Sequence, residues 1–463
     1  MLWELQRNYF SQAGELAWQN NIVPSHATSN AYIAQAYARM VIAYMKDALT
    51  QEQTDPAQTG LVHIIDLGAG SGQFAFHFLK KLEDLYRNSS LHQKIAYRYV
   101  VADFAKANIE FCRNHPAMQP FIKSGVLDFA LIDATEPQSL QTSQTPLQIK
   151  LLQSGDVLES GKMPGAMVLI GNYLFDSLPQ DLFYLNGQLY ECLPKLSNNE
   201  YKNRDEYKDR CRQDPGKLPE VQMLDVDYDY NSIDSAYYPE AHFNKLLDFY
   251  RKTITNNATH INFPIVGLRF LDRLTAIADK GLLVLSADKG KTDLRSLYNQ
   301  GKPYMAKHGG CFSMSVNYHL ISQYTDNQGG KSWLPAQKPQ TICVAGFLFA
   351  ANPKAYKETH YAAEEAINRY NPDDFFILKK SIERNFHHMK LAETLSFIRL
   401  SGYDSTAFYR ASHVLKTQLH MANQTDKNTL EQTCKKVRDM HYDLGRFDLE
   451  ATIENLFYAM DAS

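Results

Sequence analysis

Residues 61–78, LVHIIDLGAGSGQFAFHF, constrain the fold more than any other stretch of this chain. Leu61, Val62, Ile64 and Ile65 form a short apolar run with the branched side chains that suit a strand buried on both faces of a parallel sheet. Asp66 closes the strand, and Gly68, Ala69, Gly70, Ser71 and Gly72 turn the backbone. Phe74, Phe78 and Leu82 then recur at helical spacing, so the apolar period changes from strand to helix across the turn. A buried strand, a glycine turn and a helix in succession predict an α/β fold. The turn lets a ligand sit against bare backbone, at a helix N-terminus with unpaired N–H groups and the positive end of the helix dipole.

The spacing narrows the ligand. A dinucleotide fingerprint, G-x-G-x-x-G, needs its last glycine for close helix packing. Counted from Gly68 the sixth position is Gln73; counted from Gly70 it is Ala75, a relaxed match that leaves Gly68 without a role. The alternative, acid-x-G-x-G-x-G, is met by Asp66, Gly68, Gly70 and Gly72, and resembles motif I of the class I S-adenosylmethionine (SAM) methyltransferases. A carboxylate beside the turn suits a ligand with an ammonium group, as the methionine end of SAM has, and repels a pyrophosphate. An ordinary strand-to-helix turn is the remaining alternative.

At 463 residues the chain exceeds what one core usually serves, so two or three domains are expected. Its 48 basic and 51 acidic side chains leave a net charge of −3, which draws it to no nucleic acid. No apolar stretch approaches a membrane span, and the N-terminal residues lack the basic and apolar blocks of a secretory signal. Cys112, Cys192, Cys211, Cys311, Cys343 and Cys434 are scattered without C-x-x-C spacing. Reduced, buried thiols in a cytoplasmic protein are expected, with no metal site.

Residues 1–59 read as an N-terminal helical cap. Ile33, Tyr37, Met40, Val41 and Tyr44 make a helical stripe behind a Ser29-Asn30 cap, and 51–59 is a polar linker. Such a helix either covers a cofactor or only packs on the sheet. A second strand, 97–102, ends at Asp103, followed by Phe104. An acid there grips ribose hydroxyls or caps the helix expected over 105–113. A third strand, 126–132, precedes Asp133-Ala134, and a fourth, 166–170, runs into Gly171-Asn172-Tyr173-Leu174-Phe175-Asp176-Ser177-Leu178-Pro179.

That last run, continued as QDLFYLNGQLYE, resembles the N-E-F-F-D-A-L-P segment and hairpin of the MidA-type methyltransferases, a group that includes mitochondrial complex I assembly factors. A second match is the strand ending Ala287-Asp288-Lys289-Gly290, similar to that family's D-Y-G, with Tyr304, His308, Gly309 and Gly310 downstream. The resemblance covers about residues 60–350. It implies a Rossmann-like, seven-stranded class I SAM methyltransferase domain over 60–352, with SAM as cofactor. It places Asp66, Gly68, Ala69, Gly70, Gly72, Asp103, Phe104, Asp133, Ala134 and Asn172 around SAM, with Asp133 accepting from the adenine amino group. The chain departs from the family at Tyr173, where the family has an acid, and at Lys289, where it has tyrosine. The family's characterised assembly members methylate a protein arginine, and these departures point to a different acceptor or to none.

Residues 195–260 read as a polar insertion, in which Asp225, Asp227, Asp229 and Asp234 either meet a basic partner or form a solvated face. A helix is expected over 263–280, a strand over 282–286, and the last two strands over 312–321 and 342–350. From 353 to 463 the pattern is helical throughout: 361–370, 373–385, 389–400, 405–422, 430–444 and 449–460. The run LGRFDLEA resembles the inter-helix turn of a tetratricopeptide repeat. This extension is expected to dock on the catalytic domain and is a candidate seat for a protein partner. His387-His388 is expected within a helix, without a third metal ligand.

Methyl transfer needs acceptor, methyl and sulfur in line, with a group to take the acceptor's proton. Asn172 and Asp176 are the candidate catalytic residues, Asp176 as base or as a carboxylate facing a cation; a local helix cap is its alternative role. Three functions follow: a SAM-dependent methyltransferase for a protein side chain or small molecule, a silent SAM-binding scaffold, and a nicotinamide oxidoreductase, which the glycine count disfavours.

Overall fold

Seven strands make the central sheet: β1 Gly60–Leu67, β2 Ile95–Asp103, β3 Leu127–Leu131, β4 Met167–Asn172, β5 Leu282–Asp288, β6 Lys331–Trp333 and β7 Cys343–Phe349. The computed structural model describes residues 2–14, 26–51, 60–92, 94–136, 141–162, 165–197, 221, 224–234, 236–255 and 257–461. Across the sheet the order is β6-β7-β5-β4-β1-β2-β3. β7 runs antiparallel to β5 and β6, and the remaining pairs are parallel. This is a Rossmann-like α/β sheet. Its connections reverse direction between β1 and β4, and ligands of such sheets bind at the carboxyl ends beside that reversal.

Both faces of the sheet are covered, which is why β1 and β5 read as near-continuous apolar runs. One face carries α2, Ala31–Gln51, and α3, Gln73–Arg87, which follows the glycine turn; α1, Leu2–Ala13, packs in a separate cluster with Leu182, Cys192 and Phe312. Asn30 caps α2 by accepting from Tyr32 N and Ile33 N at 3.0 and 3.1 Å. Tyr37, Met40, Val41 and Tyr44 of α2 are buried in one core with Phe78, Leu79 and Leu82 of α3. Helices Ala241–Thr253, Ile265–Ile277 and Tyr318–Asn327 fill the opposite face.

Several expected elements differ. The run 312–321 is not a strand: Cys311–Met314 pairs with Met305–His308 in a hairpin, and Tyr318–Asn327 is a helix whose start Asn317 caps by accepting from Leu320 N. A short apolar run does not separate strand from helix, and the sixth strand lies later, at β6. The described part of 195–260 is more ordered than an insertion loop. Thr259–Phe263, Asp181–Leu185, Leu189–Ser197 and Asp225–Ser232 form a four-stranded antiparallel sheet. There Asp227 pairs with Lys302 and Asp229 with Lys195, so these carboxylates already face cations of this chain. The linker residues 52–59 and Cys211 lie outside the described residues; the other five cysteines are buried free thiols.

A buried ion pair ties the loop after β3 to the helices. Glu240 accepts from Arg269 Nε at 2.9 Å and Nη2 at 3.0 Å, and from Ser143 N at 2.9 Å. Removing one partner leaves the other charge buried, so Glu240→Ala is expected to cost about 3–5 kcal/mol in equilibrium unfolding.

Beyond β7 the chain is helical: Lys357–Ala363, a π-helical turn Glu364–Arg369, Pro372–Arg384, Leu391–Leu400, Ser405–Gln418, Gln424–Asp439 and Leu449–Asp461. The last four share a separate core around Ile398, Phe408, Leu415, Leu430 and Ile453. Aspartates dock this extension: Asp47 of α2 accepts from Thr359 N at 2.7 Å, and Asp373 accepts from Gln340, Thr341 and Ile342 N at 2.7–2.9 Å. His387 and His388 sit in a 3-10 turn rather than a helix, and no metal-binding cluster of His, Cys, Asp or Glu exists among the described residues. The helix expected over 430–444 stops at Asp439, and Met440 to Leu444 continue without helical structure.

Candidate functional site

The glycine turn has the backbone that only glycine adopts without strain. Gly68, Gly70 and Gly72 have φ of 76°, 56° and 76°, in the left-handed region. Gly68 N and Ala69 N donate to Ala102 O of β2 at 2.8 and 3.2 Å, which folds the turn back over the sheet edge. A Cβ on Gly72 would lie 2.6 Å from Cys112 Sγ, so a side chain is excluded there by contact as well as by torsion.

Three acids stand at the carboxyl ends of adjacent strands and line one cavity of about 580 Å³ with Gly68, Ala69, Phe104, Ala134 and Asn172. Asp66, ending β1, is buried and accepts from Tyr99 Oη at 2.8 Å. Burial pushes its carboxyl up to about 7, against the opposing pull of that hydrogen bond; nearby Asp103 adds to the rise. Asp103, ending β2, accepts from Gly70 N at 3.1 Å, Asn108 Nδ2 at 3.1 Å and Ala105 N at 2.8 Å. It therefore holds the glycine turn and the loop that leads into the helix Lys106–Asn114, whose N-cap position is Ala105 without a side-chain cap, so the expected capping role is not met. With the Phe104 N–H beside them, these donors take up most of the carboxylate's lone-pair sites.

Asp133 is engaged differently. Its Oδ1 accepts from Thr135 N at 2.8 Å and Thr135 Oγ1 at 2.7 Å, and its Oδ2 is ion-paired with Arg7. Arg7 also donates to Thr135 Oγ1 at 2.7 Å and lies 5.5 Å over the Phe104 ring. Gln6, one residue earlier, donates to Ser177 O and accepts from Phe312 N, both at 2.9 Å. Helix α1 thus roofs the crevice from Asp133 at one end to Ser177 and Phe312 at the other. Of the two N-terminal helices, α1 is the cover and α2 packs on the sheet and α3.

The other end is built by the loop after β4 and by β5. Asn172 accepts from Tyr37 Oη at 3.0 Å, while its Nδ2 is buried with no partner among the described residues. Tyr173 has φ 52°, a left-handed conformation that costs a bulky residue energy and is concentrated at functional sites. Asp176 and Asp288 are buried together beneath it, and Asp288 Oδ2 accepts from Phe175 N at 3.1 Å. Burial raises Asp176 to about 7, with Lys289 opposing. Burial and the Asp176 charge push Asp288 well above the usual carboxylate range. Asp176's side chain is thus one half of a carboxyl pair rather than a local helix cap. Lys289, His308 and Cys311 complete the rim.

All the residues expected around the cofactor except Gly70 and Gly72 line this cavity directly, and those two shape the turn beneath it. Sequence reading missed Gln6, Arg7, Tyr37, Tyr99, Asn108 and Thr135. The partners of Gln6, Arg7, Tyr37 and Tyr99 are remote in the chain, and no spacing records such pairings; Thr135 and Asn108 bond acids two and five residues before them, a local signal that the sequence does carry. Asp288 had a signal, the Asp-Lys-Gly at a strand end.

No family model matches the chain, and no curated protein does. Among solved structures it is similar to a COG1565 superfamily member from Burkholderia thailandensis bound to S-adenosyl-homocysteine, at 13% identity and TM-score 0.37, with 73% of each chain covered. It is also similar to an uncharacterized COG1565 superfamily protein from the same organism, at 11% identity and TM-score 0.37, covering 74% of this chain and 90% of the other. Overlap this loose leaves the site to be argued from its own residues.

Proposed function

We propose that the chain is a SAM-dependent methyltransferase acting on a protein side chain, arginine among the candidates, or on a small molecule. The carrying observation is the left-handed acid–glycine turn opening into a cavity rimmed by acids from three neighbouring strands. In this reading Asp66 meets an ammonium, Asp103 a ribose hydroxyl, and Phe104 and Ala134 the faces of an adenine. When bound, SAM supplies a methyl group on a sulfonium that departs as a neutral thioether. Asn172, which lines the cavity, positions the acceptor, and Asp176 takes its proton as the acceptor–methyl bond forms. The MidA-like run 171–191 supports the same reading, and Tyr173 and Lys289 mark an acceptor unlike that of the characterised assembly members.

The deciding experiment is transfer of labelled methyl from SAM into fractionated cell extract, with Asp66→Ala as control. Label on no component, with tight SAM binding retained, would favour the second reading: a silent scaffold whose helical extension seats a partner. The Tyr173 and Lys289 departures favour that reading, because both residues line the acceptor end of the cavity and leave the glycine turn untouched. Tight NAD binding without SAM binding sinks both. Once an acceptor is in hand, Asp176→Asn is expected to lower kcat at least about 100-fold with SAM affinity nearly unchanged. The wild-type rate should rise with pH through about 7, as Asp176 ionises, and the variant should lose that limb.

The absence of nucleic-acid contacts and a cytoplasmic location are part of the same proposal. No helix among the described residues is long and apolar enough to cross a membrane.

A further inference from the structure

The helical extension touches the glycine turn itself. Where the chain leaves Gln424–Asp439, Tyr442 is released from helical structure and inserts beneath the turn, its hydroxyl donating to Ser71 O at 2.8 Å. Its ring stacks on His115 at 3.8 Å and 14°, and lies 5.4 Å from the Phe76 ring. His115 in turn holds Asp443 O through Nε2 at 2.8 Å. The hydroxyl also sits 3.1 Å from where a Gly72 Cβ would be.

The turn needs an external pin. Left-handed glycines flank Ser71 on both sides, and glycine lets a neighbouring peptide unit rotate at little steric cost. The Ser71–Gly72 peptide is planar, so fixing the Ser71 carbonyl fixes the Gly72 N–H, which donates to Ala69 O at 3.0 Å. Asp103 and Cys112 hold the Gly70 peptide units, and the Tyr442 hydroxyl is the side-chain contact that fixes the Ser71–Gly72 unit.

We propose that Tyr442 is a positioning residue for the cofactor turn, so that the C-terminal helical extension is a working part of the binding site. This rests on the reading of that turn as a SAM site. It concerns affinity for the cofactor, not the chemical step.

The test uses the full chain and S-adenosylhomocysteine (SAH) in calorimetric titration, with hydrogen exchange at Gly70, Ser71 and Gly72 in the absence of ligand. Tyr442→Phe keeps the stacked ring and removes only the hydroxyl. It is expected to weaken SAH binding about tenfold, to raise the SAM KM without lowering kcat, and to speed exchange at the turn. The control is Asp439→Asn, which breaks the Lys80–Asp439 ion pair of 2.8 Å at the same interface without reaching the turn; it should leave binding and exchange as in wild type. Wild-type affinity in Tyr442→Phe, or equal weakening in both variants, overturns the proposal. If wild type binds no SAH, the cofactor reading falls, and unchanged turn exchange in Tyr442→Phe then overturns this one separately.

Discussion

Gly72→Val is expected to abolish SAH binding, by at least about 100-fold, and to lower the melting temperature of the ligand-free chain. Two independent costs add. Valine at φ 76° enters the left-handed region, at about 1–2 kcal/mol for an L-residue and more for a β-branched one. Its Cβ would also stand 2.6 Å from Cys112 Sγ and 3.2 Å from Met118 Cε, both fully buried and unable to yield without moving the core; overpacking of this kind costs about 1–3 kcal/mol. The cheapest escape is to reshape the turn, which moves the backbone that the ligand must meet. Titration with SAH and calorimetric unfolding test this together. Binding retained within a few-fold of wild type would show that residues 68–72 do not cradle the ligand.

Asp66→Asn should move stability and binding in opposite directions. The Asp66 carboxyl is raised from 3.8 to about 7 chiefly by burial. Below about pH 4 it is protonated whether the chain is folded or not, and contributes no pH dependence. As pH rises from 4 to 7 the unfolded chain ionises while the folded one retains its proton, so the ligand-free protein loses stability; above about 7 that loss is complete. Asparagine avoids it, so the variant should be more stable than wild type at pH 8, by at most about 4 kcal/mol, and little different at pH 4. Binding follows the other sign. An ammonium needs the ionised carboxylate, so wild-type SAH affinity should strengthen as pH rises through about 7. The variant should be flat over that range and about 100-fold weaker at pH 8. Chemical unfolding and titration at pH 4–8 read both arms. Equal affinity for wild type and variant at pH 8 would remove Asp66 from the site.

The sheet and the turn are readable because each rests on a local pattern. Buried parallel strands leave apolar runs at 61–65 and 282–285, and left-handed torsions leave glycine at 68, 70 and 72. Pattern fails where a short apolar run is compatible with two states. At 312–321 the decisive residue was Asn317, a helix cap within a stretch that otherwise reads as strand. At 430–444 helical spacing continues past the true end, because the burial of Tyr442 against Ser71 and His115 overrides local propensity. Asp103 was expected to grip a ribose or to cap a helix; the structure instead has it accept from Gly70 N of the turn and from Ala105 N ahead of the helix, contacts that no spacing in the sequence announces. The roofing by Gln6 and Arg7 left no trace in sequence. Neither residue belongs to a motif, and each acquires its meaning only from loops more than a hundred positions away.

The bond between Tyr442 and Ser71 spans 371 positions of the chain. During synthesis at roughly 5–20 residues per second, the loop over 68–72 leaves the ribosome about 20–70 s before its fastening partner exists. Through that interval the nascent sheet carries an unfastened loop and an uncovered Cys112 thiol. The chain is therefore assembled with its glycine turn begun early and secured late, and a stalled or clipped polypeptide lacking the last helices would hold the same strands around a slack pocket.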